Sequence, residues 1–362
     1  MDTRSLKASV VALSTWLLPC VSAVVWAQPV CLRSTKMVKA VVCSEHGLPD
    51  KLSLAHDWET PELGAHDVRM DVKAAGLNFP DVLIIQGKYQ MQPPMPFVPG
   101  GESAGIVTEV GSAVSRWSVG DSVIQLGGVG GFASEAVVNE NALLPKPEGI
   151  DFTAAAGVGM TYFTSYYALK QRGQLKAGET MLVMGAAGGV GSTAVELGKV
   201  MGARVIAAAS SDEKLELCKQ LGADEVINYS NESMKDRIKE ITGGKGVDVV
   251  YDPVGGDYAE PAVRSMAWNG RYLVIGFASG PIPSIPLNLT LLKGCSLVGV
   301  FWGRFLAEEP AEQQQNVEEL WGLFRDGKLN PVVTDVFPIE EYEAGYAAMM
   351  ERRAKGKVIF TF

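Results

Sequence analysis

Two rhythms divide the chain. From Met37 to about Ala142, short runs alternate apolar and polar residues with period two, as in MVKAVVCSEH and DVRMDVKAAGL, which is the pattern of half-buried strands. PGGESAGIVTEVG and GDSVIQLG add Val/Ile runs bounded by glycine, and this half predicts a compact barrel of short strands and turns. From about Asp151 the pattern becomes helical, in FTAAAGVGMTYFTSYYALKQRG. A strand–helix series follows: ETMLVMG, GGVGSTAVELGKVMGA, RVIAAASS, DEKLELCKQLGA, EVINY, SMKDRIKEITGG and GVDVVYDPVGG, then YAEPAVRSMAWNG leading to GRYLVIGFA. Uninterrupted Val/Ile runs between amphipathic helices predict a parallel sheet covered on both faces. The alternation stops near Val300, and the remainder holds an amphipathic helix from about Glu309 to Gly327, a second helix and a final strand. The expected class is α/β, with a strand-rich unit over 37–161, a doubly wound sheet over 162–300 and a C-terminal segment over 301–362.

The strongest motif is Gly185-Ala186-Ala187-Gly188-Gly189-Val190-Gly191, directly after the strand Met181–Met184 and opening a helix that runs to about Met201. A dinucleotide fingerprint needs this context: a tight turn, a backbone close to the pyrophosphate and a helix N-terminus aimed at it. Ala186 takes the first glycine position, and Gly188 and Gly191 fill the other two. About 20 residues further on, an NAD site places an acid on the ribose hydroxyls. Here that count reaches Ser210, so an acid that would repel a 2′-phosphate is missing. Lys214 is placed to pair with such a phosphate as a point charge, and Tyr229, after the third strand, to donate its hydroxyl. The trio predicts NADPH. Asp212 and Glu213 argue the other way, and Lys214 and Tyr229 also read as a solvated helix residue and an edge aromatic.

Composition narrows the function. The 362 residues are 47% hydrophobic and 20% charged, an ordinary globular balance, and the net charge of −9 argues against a nucleic-acid footprint. Forty glycines exceed the average of about 7% without a collagen period, in keeping with tight turns and close backbone approaches to a ligand. Cys20, Cys31, Cys43, Cys218 and Cys295 form no CxxC pair, so neither a disulfide framework nor a zinc site is expected. His46, His56 and His66 match no metal-ligand spacing and read as solvated. Residues 1–36 carry four basic residues against one acid, around an apolar stretch from Ala8 to Ala27. A mitochondrial transit peptide, a secretory signal and a membrane anchor compete for this segment, with Pro19 interrupting the anchor reading. The expectation is a targeting segment, a mitochondrial location with a cytosolic or a membrane-tethered form as the alternatives, and no stable membrane insertion after processing.

The order of these motifs resembles the medium-chain dehydrogenase/reductase superfamily, in particular its zinc-independent quinone oxidoreductases of the zeta-crystallin type. The likeness spans about Met37 to Phe362. It rests on AAGLNFPDVLIIQGKY, PFVPGGESAGIVTEVG, GDSV, GAAGGVGSTAVELGKVMGA and SSDEKLELCKQLGADEVINY. It implies a GroES-like β-barrel catalytic domain, a Rossmann domain and a C-terminal return to the catalytic domain. Where zinc members of the superfamily carry metal ligands, this chain has Asn78 in place of the first Cys and Gly101 in place of the His before Glu102, with no cysteine near Gly157–Thr161. Alcohol oxidation through a zinc-bound alkoxide is therefore disfavoured.

The resemblance also places Asn78, Phe79, Asp81 and Tyr89 beside the nicotinamide and substrate. Asn78 would offer an amide donor to a carbonyl and Tyr89 a phenol that donates a bond or a proton. The alternatives are a turn cap for Asn78 and a core aromatic for Tyr89. Leu83 stands where such enzymes often carry another tyrosine, which makes the cleft more apolar. Thr161 resembles the residue beside the nicotinamide, and the segments around Phe277 and Phe301 resemble cofactor-lining loops. The implied activity is NADPH-dependent reduction of a quinone or α,β-unsaturated carbonyl, by a homodimer joined through an edge strand within Cys295–Phe301. Two rivals stay open: a 2-enoyl-thioester reductase with Tyr89 as proton donor, and a cofactor-binding structural or RNA-binding relative.

Overall fold

A computed structural model describes residues 37–362. The segment read as targeting, and the mitochondrial expectation that rests on it, lie outside the described residues.

Six strands form the parallel sheet, in the spatial order Glu225–Asn228, Arg204–Ala209, Thr180–Met184, Val247–Asp252, Met266–Val274, Ser296–Gly299. Numbered along the chain this is 3-2-1-4-5-6, the doubly wound order that opens a crevice beside the first strand. Its strands are buried on both faces, as their Val/Ile/Ala content requires: Val205 to Ala209 and Met181 to Met184 are buried throughout. The helices Gly189–Val200, Asp212–Gln220 and Met234–Ile241 connect them.

The strand-rich half is built on a seven-stranded sheet. Its long strand Asp67–Leu77 pairs antiparallel with Glu102–Val110, with Glu135–Asn139 and with the chain's last strand, Lys357–Thr361. The C-terminus is thereby sewn into the barrel. Met37–Cys43 and Leu52–Glu59 make a separate antiparallel pair.

Four short elements escape the sequence pattern. Phe79–Ile85 is a helix, not a turn between strands. Pro80 fits its first turn because that N–H has no intrahelical partner, and the run Val82 to Ile85 reads equally well as a buried strand. The helices Asn288–Lys293 and Trp302–Glu308 and the strand Val333–Pro338 are likewise too short to show a period. No helix of the described residues is long and apolar enough to cross a membrane.

Candidate active site

Parallel strands bring their C-terminal ends to one edge, so residues far apart in sequence meet there. Ala186 to Gly189, Ser210, Tyr229, Phe277 and Phe301 each follow one of these strands. At the first crossover, Gly185 adopts the left-handed conformation, with φ +57°. Gly188 caps the helix Gly189–Val200 in an extended conformation and offers no side chain to its first amides. A Cβ on Gly191 would lie 2.2 Å from the Gly185 carbonyl oxygen, so only glycine lets helix and turn approach this closely. Ala186 is fully buried, its N–H bonded to the Ala208 carbonyl at 3.0 Å. The first N–H groups of this helix, on Gly189, Val190 and Gly191, have no intrahelical partners, which suits an anion such as a pyrophosphate. The turn fits a dinucleotide.

A cluster of cations lies at the end of the second and third strands. Ser211 caps the helix Asp212–Gln220, which sets Lys214 in its first turn. The Lys214 ammonium donates to the Arg352 carbonyl at 2.6 Å, leaving two of its protons for another acceptor. Arg352 ends the helix Tyr342–Met350 in the left-handed conformation, with φ +59°, and its guanidinium donates to the Ser279 carbonyl at 3.1 Å. Burial, reinforced by the Arg352 charge, lowers the Lys214 pKa. Tyr229 packs its ring on Tyr258, with centroids 4.6 Å apart. The acids that argued against a phosphate are engaged elsewhere. Asp212 accepts from the Asn228 amide at 2.6 Å, and Glu213 pairs with Lys355 at 2.5 Å. A dianion placed here would meet Lys214 and Arg352.

The barrel side holds a buried polar network. Asn78 is the N-cap of the helix Phe79–Ile85, and its side chain is spoken for: the amide nitrogen donates to the Gly76 carbonyl at 3.2 Å and to Glu102 at 2.9 Å, while its oxygen accepts from Lys357 at 2.8 Å. The free amide donor expected at Asn78 is therefore corrected. Both hydrogens are committed to buried acceptors. Glu102 also accepts from the Lys357 ammonium at 2.9 Å and from the Met160 N–H at 3.0 Å. Thr161 spends its hydroxyl on the Gly157 carbonyl at 2.7 Å, so only its methyl faces the nucleotide helix, at Gly189.

Tyr89 lies just beyond the same helix, half-buried against the barrel core, and its hydroxyl has no hydrogen-bond partner among the described residues. Burial, with the nearby Asp81 charge, raises its pKa, so the phenol keeps its proton near neutrality. Phe277 covers Gly255, and Phe301 stands half-exposed before the helix Trp302–Glu308. Among the described residues, no three His, Cys, Asp or Glu side chains gather as a metal-holding group, and all three histidines are exposed.

Asp81 supports this helix from below. Its carboxylate accepts the N–H of Asn78 at 2.8 Å and that of Gly101 at 3.2 Å, yet burial outweighs these bonds and pushes its pKa up to about 6. The folded protein thus holds this proton more tightly than the unfolded chain, whose carboxyl titrates near 3.8. Its contribution is fully present below the unfolded value and is lost as pH rises to about 6. Relative to Asp81→Asn, the wild type should lose on the order of 3 kcal/mol between acid and neutral pH. Urea unfolding of both proteins across that window checks this, and a constant difference contradicts it.

Sequence reasoning missed Arg352, Glu102 and Lys357. The basic run ERRAKGK before the last strand was the only local signal for the first and third.

Comparison with known proteins agrees with both halves. The Alcohol dehydrogenase GroES-like domain family matches residues 64–148, and the Zinc-binding dehydrogenase family matches 189–322. A quinone oxidoreductase-like protein 2 homolog of Nematostella vectensis is 40% identical over 327 residues, covering 90% of this chain and 89% of its own. The crystal structure of Escherichia coli quinone oxidoreductase complexed with NADPH superposes with a TM-score of 0.84, at 28% identity over 90% of this chain and all of that one. The CurK enoyl reductase reaches a TM-score of 0.80 at 29% identity, over 90% of this chain and 99% of that one. The chain belongs to the quinone oxidoreductase family of the medium-chain dehydrogenase/reductase superfamily.

Proposed function

We propose that the protein is an NADPH-dependent reductase that acts on a quinone or an α,β-unsaturated carbonyl and activates it without a metal. The observation that carries this reading is the Lys214/Arg352 cation pair after the second strand of the sheet, together with the glycine turn after the first, where Gly191 leaves no room for a side chain. Bound NADPH supplies the hydride. Ala186 to Gly191 would hold its pyrophosphate, and Ser210, Lys214, Tyr229 and Arg352 its 2′-phosphate, with Thr161, Phe277 and Phe301 bordering the rest. On the substrate side Tyr89 holds a proton at its hydroxyl, and burial keeps that proton in place until a basic oxygen or enolate arrives. Asn78 orders the floor of the cleft through its three hydrogen bonds.

A second reading, reduction of an enoyl thioester with Tyr89 as the proton donor, is favoured by the CurK neighbour and by the apolar Leu83. A panel assay of NADPH loss with quinones, short enones and enoyl-CoA tests both. Consumption with none of them, despite NADPH binding, would leave a cofactor-binding protein without this activity.

A homodimer belongs to the same proposal. Strand Ser296–Gly299 ends the parallel sheet with one edge unpaired among the described residues, and Trp268, Leu291 and Leu292 beside it are 72%, 78% and 70% exposed. An edge strand with an apolar border invites a second copy of itself. Leu291→Glu combined with Leu292→Glu should shift a dimer to monomer in sedimentation velocity, and a wild-type monomer at micromolar concentration contradicts the dimer.

A further inference from the structure

One side chain ties the barrel network to the cofactor turn. Gly356 donates its N–H to the Ala187 carbonyl at 2.7 Å and bridges to Gly188, which places it directly against the glycine turn. From the next residue the Lys357 stem runs along two glycines. A Cβ on Gly157 would lie 3.1 Å from its Cγ, and one on Gly189 would lie 3.5 Å from its Cδ. Its ammonium ends among the Leu77 carbonyl at 3.3 Å, the Asn78 side-chain oxygen at 2.8 Å and Glu102 at 2.9 Å. All three of its protons are used. The side chain is 7% exposed and that of Glu102 is 0% exposed.

Stability alone does not account for such a pair. Two charges taken out of water recover little net free energy, and apolar replacements of similar volume are often neutral or better. What the pair has is direction. It joins the first turn of the nucleotide helix to the floor of the cleft, and Glu102 extends the link to Met160, next to Thr161. A reaction between a bound cofactor and a bound substrate depends steeply on their alignment, and a misplacement of about 1 Å can lower its rate roughly 100-fold.

The geometry points to Lys357 as a positioning residue that sets the cofactor turn against the substrate cleft, acting through Glu102 and Asn78. This rests on the reductase reading above. Lys357→Met alone leaves Glu102 buried without its counter-ion and is apt to unfold, so the deciding variant is Lys357→Met combined with Glu102→Gln. Two readouts apply to it. In single-turnover reduction at saturating NADPH and substrate, the hydride-transfer rate should fall by about 10-fold or more, with a larger primary deuterium isotope effect on turnover. NADPH affinity should change by less than about 5-fold and the melting temperature by only a few degrees. In the nucleotide-free protein, amide hydrogen exchange over residues 185–193 should accelerate, while the strand Thr180–Met184 keeps its protection. A variant with wild-type exchange in the turn overturns the inference, as does one whose hydride-transfer rate stays within about 2-fold of wild type. The exchange experiment decides the inference even if no substrate is reduced by the wild type, so failure of the reductase reading is told apart from failure of this one.

Discussion

Tyr89→Phe is expected to lower turnover on an enone or enoyl thioester by roughly 100-fold or more, the range of a positioned general acid. The phenol is half-buried, protonated at neutral pH and free of hydrogen bonds within the described protein, so its proton is available to a substrate. Its removal should barely alter NADPH affinity. A quinone behaves differently, because its reduced oxygens take protons from water, and the same variant should reduce quinones within a few-fold of wild type. Steady-state turnover on both substrate classes at saturating NADPH checks this. Equal losses on both classes would mean that Tyr89 shapes the cleft without delivering a proton.

Lys214→Glu should weaken NADPH binding by about 10- to 100-fold while leaving NADH binding nearly unchanged. The substitution replaces a charge-assisted donor with a like charge beside the 2′-phosphate, and it also breaks the bond that holds the Arg352 carbonyl. Arg352→Ala should shift selectivity in the same direction by a smaller factor, since Lys214 remains. Fluorescence titration with both nucleotides measures the ratio, and parallel losses for NADPH and NADH would remove these residues from the phosphate site.

The parallel half was legible because its strands and helices are long enough to show their periods and because strand ends share an edge. Ser210, Lys214 and Tyr229 could be placed together by counting from the glycine turn. Arg352 could not, since it reaches Lys214 across 138 residues through the returning C-terminal segment. The same holds for Lys357, which meets Asn78 and Glu102 across 279 and 255 residues. A lysine before a strand reads as a solvated charge until the topology buries it. The bonds that occupy the Asn78 amide were not legible, because Glu102 lies on another strand and Lys357 at the far end of the chain. The helix beginning at Phe79 was hidden by its length. Seven residues do not complete a helical pattern, and its apolar run matches a strand.

The central claim, metal-free hydride transfer from NADPH, is tested most directly by following the hydrogen itself. NADPH carrying deuterium at its transferable position is incubated with the enzyme and a simple enone, in buffer containing a metal chelator, and the product is read by NMR. The expected product carries one deuterium at the β-carbon and solvent hydrogen at the α-carbon. Reduced product without deuterium at the β-carbon, or deuterium that appears there only after zinc is restored, would contradict the account.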